Sequence, residues 1–307
     1  MAVRMINTKS DYAGTLFRLL SGLACLVIVA IVALILANIT IHGKGHLTWA
    51  FLTTAPEQGM TEGGIFPAIY GTVLLVLLMT VAVVPVGVMV AIYLSEYSEL
   101  SSPFYKLTRL AVSNLAGVPS IVFGLFGLGF FVKFVGGNVD RLFFSGSLTF
   151  GQPAIVWAAL TLAVLTLPVV ILTTEDTLRS IPVELREASL ALGATKFQTI
   201  VRVVLPNAVS GILTGGILAV SRGAGEVAPI LFTGAAYFVP ELPHKLNSQF
   251  MELGYHVYVL STQSPDVDAT QPILYSTVLV LLGLTFLLNL LAMLVRTQMR
   301  FRLRRNG

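Results

Sequence analysis

Ionisable side chains are scarce in this chain. Asp, Glu, Lys and Arg make up 11% of its 307 residues, against 55% apolar ones. An ordinary soluble globule carries about a quarter of its residues charged, so that class is excluded. Cysteine is scarcer still: Cys25 is the only one, which rules out an intrachain disulfide, and its place inside an apolar run reads as a small packing residue. The histidines His42, His46, His244 and His256 show no metal-ligand spacing, so no metal site is expected. No G-x-x-x-x-G-K-[ST] loop occurs. Gly43-Lys44-Gly45 lacks both the preceding spacing and the following hydroxyl, so the chain is expected neither to hydrolyse ATP nor to hold a cofactor. No convergent nucleophile, base or metal constellation marks an enzyme, and the formal charge of +4 requires no nucleic-acid partner.

What fills the chain is apolar sequence, with a mean hydropathy of +0.85. Six runs reach the roughly 20 residues that a helix needs to cross about 30 Å of hydrocarbon. They are Leu19 to Ile41, Ala68 to Leu94, Leu110 to Val132, Ala154 to Thr173, Asn207 to Thr233 and Ile273 to Val295. Lipid cannot satisfy backbone polar groups, and the runs lack the alternation of barrel strands, so an all-α membrane protein with six spans is predicted. Arg4, Lys9 and Arg18 precede the first run, which is longer than a signal-peptide core and has no small-residue cleavage site; an uncleaved first helix is expected.

Cations set the orientation. Arg4, Lys9, Arg18, Lys106, Arg109, Arg179, Arg186, Lys196, Arg202, Arg296, Arg300, Arg302, Arg304 and Arg305 fall on the side of the termini, against Lys44, Lys133, Arg141 and Lys245 opposite. The positive-inside rule then puts both ends in the cytoplasm of a multi-pass protein of a prokaryotic inner membrane. The basic tail fits an anchor at the anionic face of the bilayer or a partner contact. The outer loop from Gly234 to Pro272 is long enough for short helices, and its Tyr237, Phe238, Phe250, Tyr255 and Tyr258 suit an interfacial belt or a ledge for an external partner.

Two charges remain inside. Arg222 and Glu226 are the only charged residues in the 27 positions from Asn207 to Thr233. Ionised groups at membrane depth are rare unless paired or lining a wet path, and i, i+4 spacing on a helix puts both on one face. Counted from Asn207 at about 1.5 Å per residue, Arg222 falls roughly 23 Å along, beyond mid-bilayer toward the outside. Ser221, Gly223 and Gly225 flank the pair with little bulk. In the third run, Pro119 with Gly124, Gly127 and Gly129 suits a kinked packing helix or a bent wall.

The cytoplasmic connection between the fourth and fifth runs is the most patterned soluble stretch. Helix formers follow Pro182, Gly193 fits a C-terminal stop, and an amphipathic stretch with Phe197, Ile200 and Val201 precedes Pro206. This predicts a short helix, a tight turn and a second short helix outside the membrane.

Glu187-Ala188-Ser189, with Gly193 and then Val203, Leu205 and Pro206, resembles the EAA loop of ATP-binding-cassette importer permeases. Ser189 stands where Ala is common, and Val203 where Ile is common. Ser221-Arg222-Gly223-Ala224-Gly225-Glu226, Ala116-Gly117-Val118-Pro119-Ser120 and Tyr255-His256-Val257-Tyr258 are similar to the PstA family of phosphate importer permeases. The resemblance implies a MetI-like type I fold and a heterodimer with a PstC-type second permease subunit. It also implies a PstB-type cytoplasmic ATPase dimer that binds ATP and Mg, and an external PstS-type phosphate-binding protein. It assigns Glu187, Ala188, Ser189 and Gly193 to the joint with the ATPase. Arg222, Glu226, Ser221 and Gly225 become the expected substrate path, in which the Arg guanidinium forks onto phosphate oxygens. Sulfate or molybdate import stays open, as does a secondary anion transporter or channel.

The expected division is a tail, first helix and outer loop over 1–67, a permease core over 68–295, and a basic cytoplasmic tail over 296–307. The core holds the coupling hairpin at about 182–203 and the outer loop at 234–272.

Overall fold

A computed structural model describes residues 12–264 and 266–306. Arg4, Lys9, Pro265 and the side chains of Arg300, Arg302, Arg304 and Arg305 lie outside the described residues. Among the described residues, six helices are long and apolar enough to cross a membrane: Gly14–His46, Phe66–Tyr97, Ser120–Phe143, Ile155–Arg179, Lys196–Gly223 and Val267–Met299.

The first span is α1 (Tyr12–Gly43). A short α2 (Trp49–Thr53), capped by the Thr48 hydroxyl, and a two-residue hairpin, β1 (Pro56–Glu57) with β2 (Glu62–Gly63), lead into α3 (Phe66–Ile92). The second span ends in a π-helical turn, Tyr93–Tyr97. Next comes α4 (Pro103–Leu115), amphipathic and separate from the spans. The third span joins α5 (Ser120–Phe126), a π-helical stretch Gly127–Gly136 and α6 (Gly137–Phe143). The fourth is α7 (Ile155–Arg179), followed by α8 (Val183–Ala191). The fifth runs without interruption from α9 (Lys196–Thr199) through the π-helical Ile200–Val204 into α10 (Leu205–Gly223). The loop between the fifth and sixth spans carries α11 (Leu253–Thr262), and α12 (Val267–Asn306) is the sixth span.

Besides the end of the fifth helix, described below, two boundaries differ from the sequence reading. The third span starts at Ser120, not Leu110, because Pro119 holds Val118 out of helical geometry and splits one apolar run into α4 and a crossing. The second helix of the coupling hairpin is not separate: it is the first turn of the fifth span. Pro206 would clash with the carbonyl four residues back in a regular helix, and the π-helical turn just before it lets the chain pass without a break.

The core lies between α3, α7 and α10. Leu75, Met79 and Val83 recur every four residues on one face of α3 and meet Ala158, Ala159 and Leu162 of α7. Small partners let the two helices approach closely, which is the main source of association between helices in lipid. The fourth span is the most enclosed of the six. In contrast α1 exposes its apolar side chains and touches the bundle near its end, where the Ser276 hydroxyl donates to Gly43 O at 2.7 Å and His42 stacks near Tyr275.

Candidate functional site

The fifth helix stops at Gly223, inside the membrane. Ala224 and Gly225 close its last turn with N–H groups donating to Val220 O at 3.0 Å and Arg222 O at 3.2 Å. The following non-helical segment packs Ala228 and Pro229 against Gly124 of the third span, then reaches the start of α7, where Ala154 N–H donates to Thr233 O at 2.9 Å. The run read as one helix to Thr233 is therefore a helix to Gly223 followed by irregular backbone. Such backbone is tolerated at membrane depth only where protein or a wet cavity surrounds it.

Depth follows from packing. Gly223 lies against the Met79 sulfur, and Met79 is the central residue of α3 (Phe66–Ile92); a side chain at 223 would collide with it. The break thus sits level with the middle of α3, where the sequence count had placed Arg222 beyond mid-bilayer.

At this break Arg222 Nε donates to Glu226 Oε1 at 3.3 Å. The two residues pair across the helix end rather than along one helical face. The guanidinium belongs to the last turn, where a cation suits the partial negative charge of the helix C-terminus. One contact leaves both Nη groups and Glu226 Oε2 without a partner among the described residues, and the side chains are 34% and 21% exposed. Ser221 and Gly225 are exposed on either side. The arrangement is a guanidinium held loosely by a carboxylate, able to offer its fork to an incoming anion.

Sequence reasoning missed Asn289. On α12, its Nδ2 donates to Ser221 Oγ at 3.3 Å, and its Oδ1 is buried without a partner among the described residues. The signal was an amide inside the sixth apolar run. The four residues assigned to the coupling joint gather on α8 and in the turn after it, between the fourth and fifth spans. Glu187 and Ala188 are exposed on α8, the Ser189 hydroxyl is 2.9 Å from that of Thr199, and Gly193 turns the chain at φ +85°. Thr195 and Gln198 form a reciprocal capping box that starts the next helix.

A buried polar knot lies where α11 meets the first turns of α3, also unforeseen. Glu252 caps α11, accepting from Gly254 N at 2.9 Å and Tyr255 N at 2.7 Å, while Thr72 Oγ1 accepts from Leu253 N at 3.0 Å. Burial pushes the Glu252 carboxyl up to about 7 and the His256 imidazole, one turn on, down to about 4. The folded Glu252 keeps a proton that the unfolded chain loses above its ordinary value of 4.5, so its contribution to stability falls as pH rises from there to about 7. The folded His256 refuses a proton that the unfolded chain takes up below 6.5, so its contribution grows as pH rises from about 4 to 6.5. Each amounts to roughly 3 kcal/mol, and the two oppose each other. Thermal unfolding in detergent should therefore be nearly flat in the wild type between those limits. In Glu252→Gln it should gain stability steeply with rising pH; an unchanged flat profile would count against the knot.

The chain matches the family described as binding-protein-dependent transport system inner membrane component over residues 83–305. It is 33% identical over 265 residues to the probable ABC transporter permease protein YqgI of Bacillus subtilis (strain 168), covering 81% of this chain and 84% of that one. With the phosphate transport system permease protein PstA of Mycobacterium leprae (strain TN) it shares 42% identity over 176 residues, which is 57% of this chain and 52% of that protein. Its fold is similar to a bacterial ABC transporter involved in the import of alginate, with a TM-score of 0.63 at 14% identity over 92% of this chain and 96% of the other.

Proposed function

Because the chain belongs to the family of binding-protein-dependent transport system inner membrane components, we propose that it is the PstA-type permease subunit that passes inorganic phosphate inward across the prokaryotic cytoplasmic membrane. As an ABC importer permease it works with an ATPase and a substrate-binding protein. In the finer reading these are a PstB-type ATPase dimer, which binds ATP and Mg, and a PstS-type external protein, with a PstC-type subunit as the second half of the path. Both termini lie in the cytoplasm, in keeping with the excess of Lys and Arg on that side.

The observation that carries this reading is the Arg222–Glu226 pair at the broken end of the fifth helix, joined by a single 3.3 Å contact. Phosphate bears about one to two negative charges near neutral pH. In the empty path Glu226 neutralises Arg222. When phosphate arrives, its oxygens compete for the guanidinium, and the bidentate geometry open at the Nη groups favours the exchange. Ser221 and Gly225 keep the approach polar and unobstructed. Alternating access then exposes this mid-membrane point first outward and then inward, as the ATPase moves the hairpin at 182–203 through Glu187, Ala188, Ser189 and Gly193.

Radiolabelled phosphate and sulfate offered to vesicles holding the whole complex, with and without internal ATP, test the proposal. Phosphate uptake only with ATP is expected. Preference for sulfate would move the assignment to another oxyanion, with molybdate then tested as competitor. Flux that persists without ATP would make the chain part of a secondary transporter or channel.

A further inference from the structure

Helix α8 buries no residue of its own. Val183, Leu185 and Leu190 are all exposed on it, as is Leu192 just past its end, so apolar packing within this chain does not hold the helix in place. Its attachment is polar and centres on Arg186. Arg186 Nη2 donates to Glu96 Oε1 at 2.8 Å and to Leu178 O at 2.8 Å, while Nη1 donates to Ile181 O at 2.8 Å. Its Nε lies 3.3 Å from both Glu96 oxygens. One guanidinium thus ties α8 to the end of the second span and to the last carbonyls of the fourth. The ion pair is well shielded, with Arg186 18% and Glu96 8% exposed.

The tie continues. Two residues before Glu96, Leu94 O accepts from Arg179 Nη2 at 3.2 Å, and Arg179 Nε donates to the buried Glu175 at 2.9 Å. The Tyr105 hydroxyl of α4 donates to the same Glu175 oxygen at 2.8 Å and accepts from Arg109 at 2.7 Å. Lys196, at the start of the fifth span, sits 4.8 Å from the Tyr97 ring centroid. Hydrogen-bonded charged pairs shielded from water hold their geometry far better than exposed ones.

We propose that Glu96 and Arg186 are positioning residues that weld the coupling helix to the second and fourth spans, so that a push on α8 moves those spans as one body instead of bending the hairpin. This rests on the reading of 182–203 as the joint with the ATPase.

The test uses the complete complex in vesicles, with phosphate uptake and ATP hydrolysis measured together and Gly193→Asp as the reference for a broken joint. Glu96→Gln should assemble with the ATPase yet move about tenfold less phosphate per ATP, the scale of a lost coupling contact. In a Cys25→Ser background, Glu96→Cys with Arg186→Cys should be equally poor and recover most of its uptake when a short bifunctional thiol reagent bridges the two positions. Recovery by bridging is not expected of residues needed only for folding. If Glu96→Gln does not assemble, the bridged double variant decides alone. The weld is overturned if Glu96→Gln keeps wild-type phosphate per ATP, or if bridging leaves the double variant inactive. Should Gly193→Asp remain fully coupled, the joint itself is misplaced and the weld falls with it. Should it uncouple while Glu96→Gln does not, the weld alone is wrong.

Discussion

Arg222→Gln should all but abolish phosphate uptake while leaving the complex assembled. A hydrogen bond to a charged group contributes about 1.5–3 kcal/mol, so removing the guanidinium costs roughly 10- to 150-fold at the step where phosphate meets it. Losing the only cation of the fifth apolar run, Asn207 to Thr233, adds to that. Folding should suffer little, because the side chain is 34% exposed and makes one hydrogen bond, at 3.3 Å. Glu226→Gln provides the contrast: it frees Arg222 from its resting partner, so uptake should fall less than in Arg222→Gln. Uptake by the complex in vesicles checks both. Wild-type rates in Arg222→Gln would make the pair a structural one.

Gly193→Asp should uncouple ATP turnover from uptake, or prevent the ATPase from docking. The subunit itself tolerates the change. Gly193 has φ +85° and open space where a Cβ would stand, and Asp visits the left-handed region more readily than most residues. Strain is about 1 kcal/mol, too small to unfold the hairpin. A large effect must then come from the surface that α8 and its turn present outward, including Leu192, which is 89% exposed. The measurement is ATP hydrolysis and phosphate uptake side by side, with co-purification of the ATPase as the assembly control. Full coupling in this variant would remove the turn from the joint.

The same residues mark how far the sequence could be read. Hydropathy located the spans because the transfer cost of charge and the gain from apolar side chains are both local. It misjudged the third start, since Leu110 to Leu115 is nearly as apolar as a crossing and only Pro119 separates the two. It extended the fifth helix to Thr233, since Ala224 to Phe232 is apolar apart from Glu226, whose i, i+4 spacing from Arg222 reads as a continuing helix. The coupling hairpin was legible because its stop at Gly193 and its cap at Thr195 are local devices. Glu96 and Arg186 were not, being 90 positions apart, each unremarkable alone. Glu252 and Asn289 escaped for the same reason.

The amino-acid order alone determined that this is a six-span helical membrane protein, that one cation–carboxylate pair sits in its fifth apolar run, and that a patterned hairpin joins the fourth and fifth spans. Those properties follow from side-chain transfer energies and short-range backbone preferences, which need no knowledge of neighbours. Only the tertiary structure decided that the fifth helix ends at Gly223 against Met79, that Arg222 and Glu226 meet across that end, and that Arg186 fastens the hairpin to Glu96. Each of these depends on groups brought together from distant parts of the chain, and packing sets such meetings where hydropathy cannot.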